Sequence, residues 1–400
     1  MVKFKQFKQI GFNLLLGLGG ISFALVITEI ALRILGISYP SFYQVDEYRG
    51  HALIPGISGW WTHEGKGWVE VNRDGLRDKE YTKNKPENTL RIAILGDSFA
   101  EAIQVNQAET FWSLIEQQLP NCKRVNEQQV EVINFGVGDY GTAQELMTLK
   151  HRVWDYSPDL VILAIFTGND IINNSKVLSP DDRFSPFLIE QKGEFIMDLS
   201  FLETETYQWR NSLQRKVIFS IVNNSRLLQL INEARIAFKN RRNLLGVQQQ
   251  NNQPTEIVKY LDLTPELYLK DSNKDWQQAW TITEELVKLI NQEIQQKKAR
   301  FLAVTLSNPA QVYPDASERQ KYLTQVGITN EFYPEQRLNK LGEKEGFEVF
   351  NLAPQFQDYA DQNNVHLHGF ENTVLGSGHW NQAGHKLAGE LITKKICKIL

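Results

Sequence analysis

Residues Asp159 to Phe166 read DLVILAIF, a near-continuous apolar run bounded by Ser157-Pro158 and Gly168. Such a run has no polar face to turn toward water, and it is short for a helix. A strand that is apolar on both faces needs a layer on each side, which is the situation of a strand inside a parallel sheet. Four other segments share the character: Arg91–Gly96, Val130–Phe135, Arg300–Leu306 and Phe347–Leu352. Helical spacing fills the intervals, over Gln107–Leu119, over Thr142–Tyr156, and with Ile282, Leu286, Leu289 and Ile290 on one face ahead of the fourth strand. Strands that alternate with helices predict an α/β protein with a doubly wound, mainly parallel five-stranded sheet.

The amino terminus is of another kind. Lys3, Lys5 and Lys8 precede Ile10–Thr28, which carries no charge. A helix of that length spans the roughly 30 Å of a bilayer core. The lysines favour a cytoplasmic amino terminus, which sends the bulk of the chain to the periplasmic or extracellular side. A cleaved signal peptide is the rival reading, but the run is long for one and no clear cleavage site follows. Glu29 and Arg33 lie four apart and could pair on one helical face. Tyr39, Phe42 and Tyr43 are candidates for the far membrane interface.

The expected organisation is a cytoplasmic tail (1–9), a transmembrane anchor (10–36), an extracytoplasmic lead-in of short strands and turns (37–89), and an α/β unit in two parts (90–176 and 275–400). A helical insertion (177–274) separates those parts. It holds helix-spaced Ile218, Ile221, Leu228 and Ile231, and it could be a lid or an interaction surface. The polar tract Gln248–Pro254 within it reads as a linker. Lys plus Arg number 43 against 47 Asp plus Glu, so nothing favours a nucleic-acid partner. Cys122 and Cys397 sit in no metal-ligand spacing, so no metal is expected; two buried thiols are favoured over a disulfide.

Ligands bind beyond the carboxyl ends of strands in an open parallel sheet. At that edge the first strand gives Gly96-Asp97-Ser98, the second Asn134–Thr142 (NFGVGDYGT), and the third Thr167–Asp170 (TGND). Gly378–His385 (GHWNQAGH) opens the last helix. Four such blocks in this order resemble the SGNH (GDSL-type) hydrolase family, including its members in polysaccharide O-acetylation. The resemblance covers about Arg91–Asp170 and the C-terminal tail.

The resemblance implies a flavodoxin-like sheet and ester chemistry without a cofactor. Ser98 is then the nucleophile and His379 its base, since a neutral serine attacks poorly without one. Oxyanion donors map to Ser98, the Gly138-Asp139 peptide region and Asn169. Asp97, Gly168 and Asp170 support the turns, Trp380 packs, and Asn381 caps the following helix. Two departures stand out. Asp139 occupies a position expected to be glycine, and its charge would oppose an oxyanion. The aspartate expected two or three residues before the histidine is replaced by Gly376 and Ser377. Ser377, a backbone carbonyl, Glu371 or a distant acid could orient the imidazole instead. His385 reads as structural, and His151, His366 and His368 as ordinary residues without partners. The implied function is a membrane-anchored esterase or acylhydrolase acting on an envelope ester, a carbohydrate such as an O-acetylated polysaccharide or a lipid. The alternatives are an O-acetyltransferase of the same fold and a catalytically weak glycan-binding or scaffold protein.

Overall fold

The computed structural model describes residues 2–125, 128–180, 183–250, 263–270 and 272–400. Helix α1 (Val2–Ile34) opens the chain. Its Gln9–Ile34 stretch has a mean hydropathy of 2.1 and its most apolar part is unburied, which makes it, by length and composition, a candidate membrane span or signal sequence. Arg33 Nε donates to Glu29 Oε1 at 2.9 Å, forming the pair that the spacing suggested.

Two antiparallel hairpins follow, β1 (Tyr43–Asp46) with β2 (Gly50–Leu53) and β3 (Ser58–Trp61) with β4 (Gly67–Glu70). Two of the candidate interface aromatics, Phe42 and Tyr43, are turned inward instead. Phe42 is buried against Leu53, Val69 and Val71, and the Tyr43 hydroxyl is bonded to Glu101. The hairpins supply an apolar inner surface, and these aromatics fill it.

The α/β unit begins with β5 (Thr89–Gly96), the short α2 (Ser98–Glu101), α3 (Phe111–Gln118), β6 (Gln129–Asn134), α4 (Thr142–His151), β7 (Leu160–Ile165) and α5 (Asp170–Asn173). The insertion opens with a hairpin that helical spacing did not suggest, β8 (Phe187–Gln191) with β9 (Glu194–Asp198). Lys192 and Gly193 both take positive φ at its turn, the backbone of a tight two-residue hairpin. Then come α6 (Glu205–Asn211), α7 (Leu213–Asn224) and α8 (Arg226–Gln250). Part of the expected linker Gln248–Pro254 is thus the end of α8, and residues 251–254 lie outside the described residues. The unit resumes with α9 (Lys274–Gln296), β10 (Arg300–Thr305), α10 (Ala316–Gln325), α11 (Tyr333–Glu345), β11 (Glu348–Asn351), α12 (Ala353–Asn363) and α13 (Gln382–Ile399).

The five long-range strands form one parallel sheet in the order β11-β10-β7-β5-β6. This is the doubly wound, flavodoxin-like order. Side chains alternate between its faces as strand geometry requires. Ala93, Leu95, Val161, Leu163 and Ala303 pack under α4, α9 and α11. Ile92, Ile94, Leu160, Ile162 and Leu302 pack under α3, α12 and α13. Every residue of β5 and β7 is buried, which explains their unbroken apolar sequences. The strand order reverses between β5 and β7, and the crevice at such a switch point is where ligands sit.

The insertion is joined to the end of α1. Glu29 accepts the Arg226 and Leu227 N–H groups, both at 3.0 Å, at the start of α8. Cys122 and Cys397 are paired as a disulfide rather than standing as two thiols, with their Cα atoms 5.9 Å apart. The end of α13 runs beside the loop after α3, within the ordinary span of such a bridge.

Candidate active site

Gly96 ends β5 beside β7, and Asp97 caps the short α2 by accepting the Phe99 N–H at 2.9 Å. This lifts Ser98 out of the sheet edge at the switch point. From the far end of the chain, Asn381 caps α13 through the Ala383 and Gly384 N–H groups, at 3.0 and 3.1 Å. Trp380 is fully buried and donates to Ser307 Oγ at 2.9 Å, which fixes the loop just ahead of that helix. His379 therefore projects toward Ser98, with its Nε2 2.8 Å from Ser98 Oγ. The Phe99 ring backs the imidazole at 4.9 Å.

The imidazole does have an acid, one that the sequence did not indicate. Glu64, in the turn between β3 and β4, places Oε2 2.5 Å from His379 Nδ1. Its other oxygen accepts the His379 backbone N–H at 2.8 Å. Neither Ser377 nor Glu371 takes this place; the Ser377 hydroxyl donates to Val374 O, and Glu371 is exposed. Local sequence explains how the turn reaches so far. Gly65 has φ +64, and a Cβ there would strike Gln104 O and the Phe370 ring. Asn372 receives the Gly65 N–H at 2.9 Å and donates to the Thr62 and Gly65 carbonyls. Gly378, also at positive φ, leaves open the space that the Glu64 carboxylate fills. Glu64 and His379 lie 315 residues apart, so no spacing rule could have joined them.

Charge follows this geometry. Burial pulls the His379 imidazole toward its neutral form, but the Glu64 hydrogen bond and charge outweigh it, so the histidine titrates above its ordinary range. Burial likewise raises Glu64, and the bond to His379 more than compensates, which leaves its carboxyl below the usual value. His368 is not a residue without partners. Its Nδ1 lies 2.7 Å from Gly378 O and its Nε2 3.0 Å from Ser307 Oγ. Burial lowers its pKa to about 3, so it is a neutral brace for the His379 loop. His385 is buried and neutral too, stacked on Phe111.

One of the groups that the resemblance assigns to the oxyanion is already bonded within the protein. The Gly138 N–H donates at 2.8 Å to Glu101 Oε2, and the Tyr43 hydroxyl reaches the same oxygen at 2.8 Å. A carboxyl thus already occupies that donor, and burial raises the Glu101 pKa to about 7. Asp139 is exposed at positive φ, with its carbonyl held by Arg183. Asn169 donates an amide hydrogen to Asp97 Oδ2 at 3.1 Å. Gly168 lies in the turn between β7 and α5. Asp170 receives the Phe166 N–H at 2.8 Å and sits deep, its pKa raised by burial and by the charges of Glu145 and Asp97. Asp97 is itself raised, to about 6, mainly by burial. A cleft of about 590 Å³ opens over Ser98, His379, Glu101, Gly138 and Arg183.

A hydroxyl, an imidazole and a carboxylate in hydrogen-bonded sequence at the switch point of a doubly wound sheet have the geometry of a serine hydrolase centre. No family model matches the chain, and no curated protein does. Among solved structures it is similar to the acetyl xylan esterase AlAXEase, at 12% identity and a TM-score of 0.38, covering 77% of this chain and 100% of that one. It is similar to a catalytic mutant of Axe2, an acetylxylan esterase from Geobacillus stearothermophilus, at 10% identity and a TM-score of 0.38, covering 79% and 96%. It is similar to the lipase/acylhydrolase from Enterococcus faecalis at 14% identity and a TM-score of 0.35, covering 78% and 97%.

Proposed function

We propose that the protein is a serine esterase or acylhydrolase of SGNH type, held by α1 at the outer surface of a membrane. The observation that carries the reading is the contact sequence Ser98 Oγ, His379 Nε2, His379 Nδ1, Glu64 Oε2, at 2.8 and 2.5 Å. The ester carbonyl carbon is attacked by Ser98 Oγ, whose proton passes to His379 Nε2. Glu64 keeps the Nδ1 hydrogen in place and stabilises the imidazolium. The oxyanion is received by the Ser98 N–H and the Asn169 amide, joined by the Gly138 N–H once Glu101 yields it. Collapse breaks the ester bond, and the leaving alkoxide takes the proton from His379. Water, deprotonated by the same imidazole, then releases the acid and restores Ser98.

The lysines ahead of the apolar helix support an extracytoplasmic catalytic unit, and so does a disulfide, which suits an oxidising compartment. The substrate proposed is an acylated envelope component, foremost an O-acetylated polysaccharide. The test uses the full chain in detergent micelles with p-nitrophenyl acetate and a fluorophosphonate probe. Turnover and labelling at Ser98 are expected, both lost in Ser98→Ala. Turnover that survives the substitution, or labelling elsewhere, overturns the reading.

A further inference from the structure

A second cleft, of about 840 Å³, adjoins the first. Tyr43, His51, Phe184 and Arg210 line both, so the two spaces lie side by side. Its walls come from the end of α1, the first hairpin and helices α6 to α8. Five of its lining residues are cations, namely Arg33, Arg210, Arg215, Lys216 and Arg226, and none is an aspartate or glutamate. Arg33 is matched by Glu29. Among the described residues, Arg210, Arg215 and Lys216 have no ion-pair partner. Arg210 lies over the Phe184 ring at 4.8 Å, and Arg215 over Phe219 at 6.0 Å, which holds both guanidinium groups along the cleft.

Helix α7 shows the same bias in its two faces. Arg215, Lys216, Phe219, Ser220 and Asn223 turn inward to the cleft, while Leu213, Val217 and Ile221 are exposed on the other side. The outer positions recur every four residues, so one helical face is apolar, while both cations of the helix that line the cleft lie on another. A groove that holds three cations without ion-pair partners concentrates anions and orients them. Its place next to the Ser98 cleft would bring such an anion close to an ester bound there.

We propose that this basic cleft is a substrate subsite for an anionic group flanking the ester, a sugar carboxylate or a phosphate. The proposal rests on the esterase reading for its link to Ser98, but its binding chemistry can be measured without turnover. The Ser98→Ala full chain in non-ionic detergent is titrated calorimetrically with tri-galacturonate, with glycerol 3-phosphate and with neutral xylotriose. One or both anions should bind well above xylotriose, and whichever binds identifies the group. That binding should weaken about tenfold or more in the double variant Arg215→Gln, Lys216→Gln, and fall as salt rises. The same pair of substitutions in the otherwise unaltered chain should leave p-nitrophenyl acetate turnover and the melting temperature unchanged. Equal binding of neutral and anionic ligands, no binding of either anion, or binding indifferent to the two substitutions would overturn the subsite. If anion binding behaves as stated and p-nitrophenyl acetate is not turned over, the esterase reading falls and the cleft stands. If turnover is normal and anions do not bind, the cleft alone falls.

Discussion

Glu64 spends both carboxylate oxygens on a single residue, one on the ring and one on the backbone of His379. That double hold fixes the tautomer and the loop together. Replacing it by Gln keeps the shape and removes the charge, so kcat should fall by about 10² to 10⁴, read with p-nitrophenyl acetate. The sign of the pH effect follows from His379, which must be neutral to take a proton. Its pKa is raised while Glu64 is ionised, so kcat/KM rises with pH through that raised value. In Glu64→Gln the rising limb should move to lower pH. Glu101 acts in the opposite sense. As it ionises near pH 7, its carboxylate competes more strongly for the Gly138 N–H and adds negative charge beside a developing oxyanion. The profile should therefore decline above about pH 7 and flatten in Glu101→Gln. The meeting of Ser98 and His379 was legible because each sits in a short block at a strand end or ahead of a helix start. Glu64 was not, because a carboxylate in the turn of a small hairpin carries no local mark of its partner. The departure at Gly376 and Ser377 signalled only that an acid was missing.

At the scale of elements, the sheet was readable and the hairpins were less so. Strands β5 and β7 are covered on both faces, so their sequences are apolar throughout and announce themselves. Hairpin β8–β9 has an outer strand of mixed exposure, and its turn is Lys192-Gly193 rather than a stronger signal such as Asn-Gly. Helix spacing in the residues after it dominated the reading of the whole insertion. The turn that bears Glu64 depends on close approach more than on pattern. A methyl group at Gly378 would collide with the Glu64 carboxylate, and the backbone there is left-handed. Gly378→Ala should reduce kcat far more than it lowers the melting temperature, because the strain falls on the catalytic contact and not on the core. A fall in melting temperature with normal kcat would contradict this arrangement.

For the molecule as a whole, the candidate site joins residues that lie far apart in the chain, including one from the segment between α1 and β5. The α/β unit supplies Ser98 and His379, while the stretch between α1 and β5 supplies Glu64. The insertion closes a second loop back to α1 through Glu29, which caps α8. Long-range pairing of this kind was beyond reach of the sequence, since it depends on how separate layers stack.

On the proposed reading, with α1 in a bilayer and Glu64 the acid of the site, the position of Glu64 between α1 and the sheet bears on what proteolytic release would free. A protease that severs the chain ahead of Tyr43 sheds a body still carrying its own acid. Scission anywhere from Gly65 to Asn88 strands that acid on the membrane stump, joined to the histidine only by non-covalent contacts, so the site of cleavage sets whether what is shed remains a covalently complete catalyst.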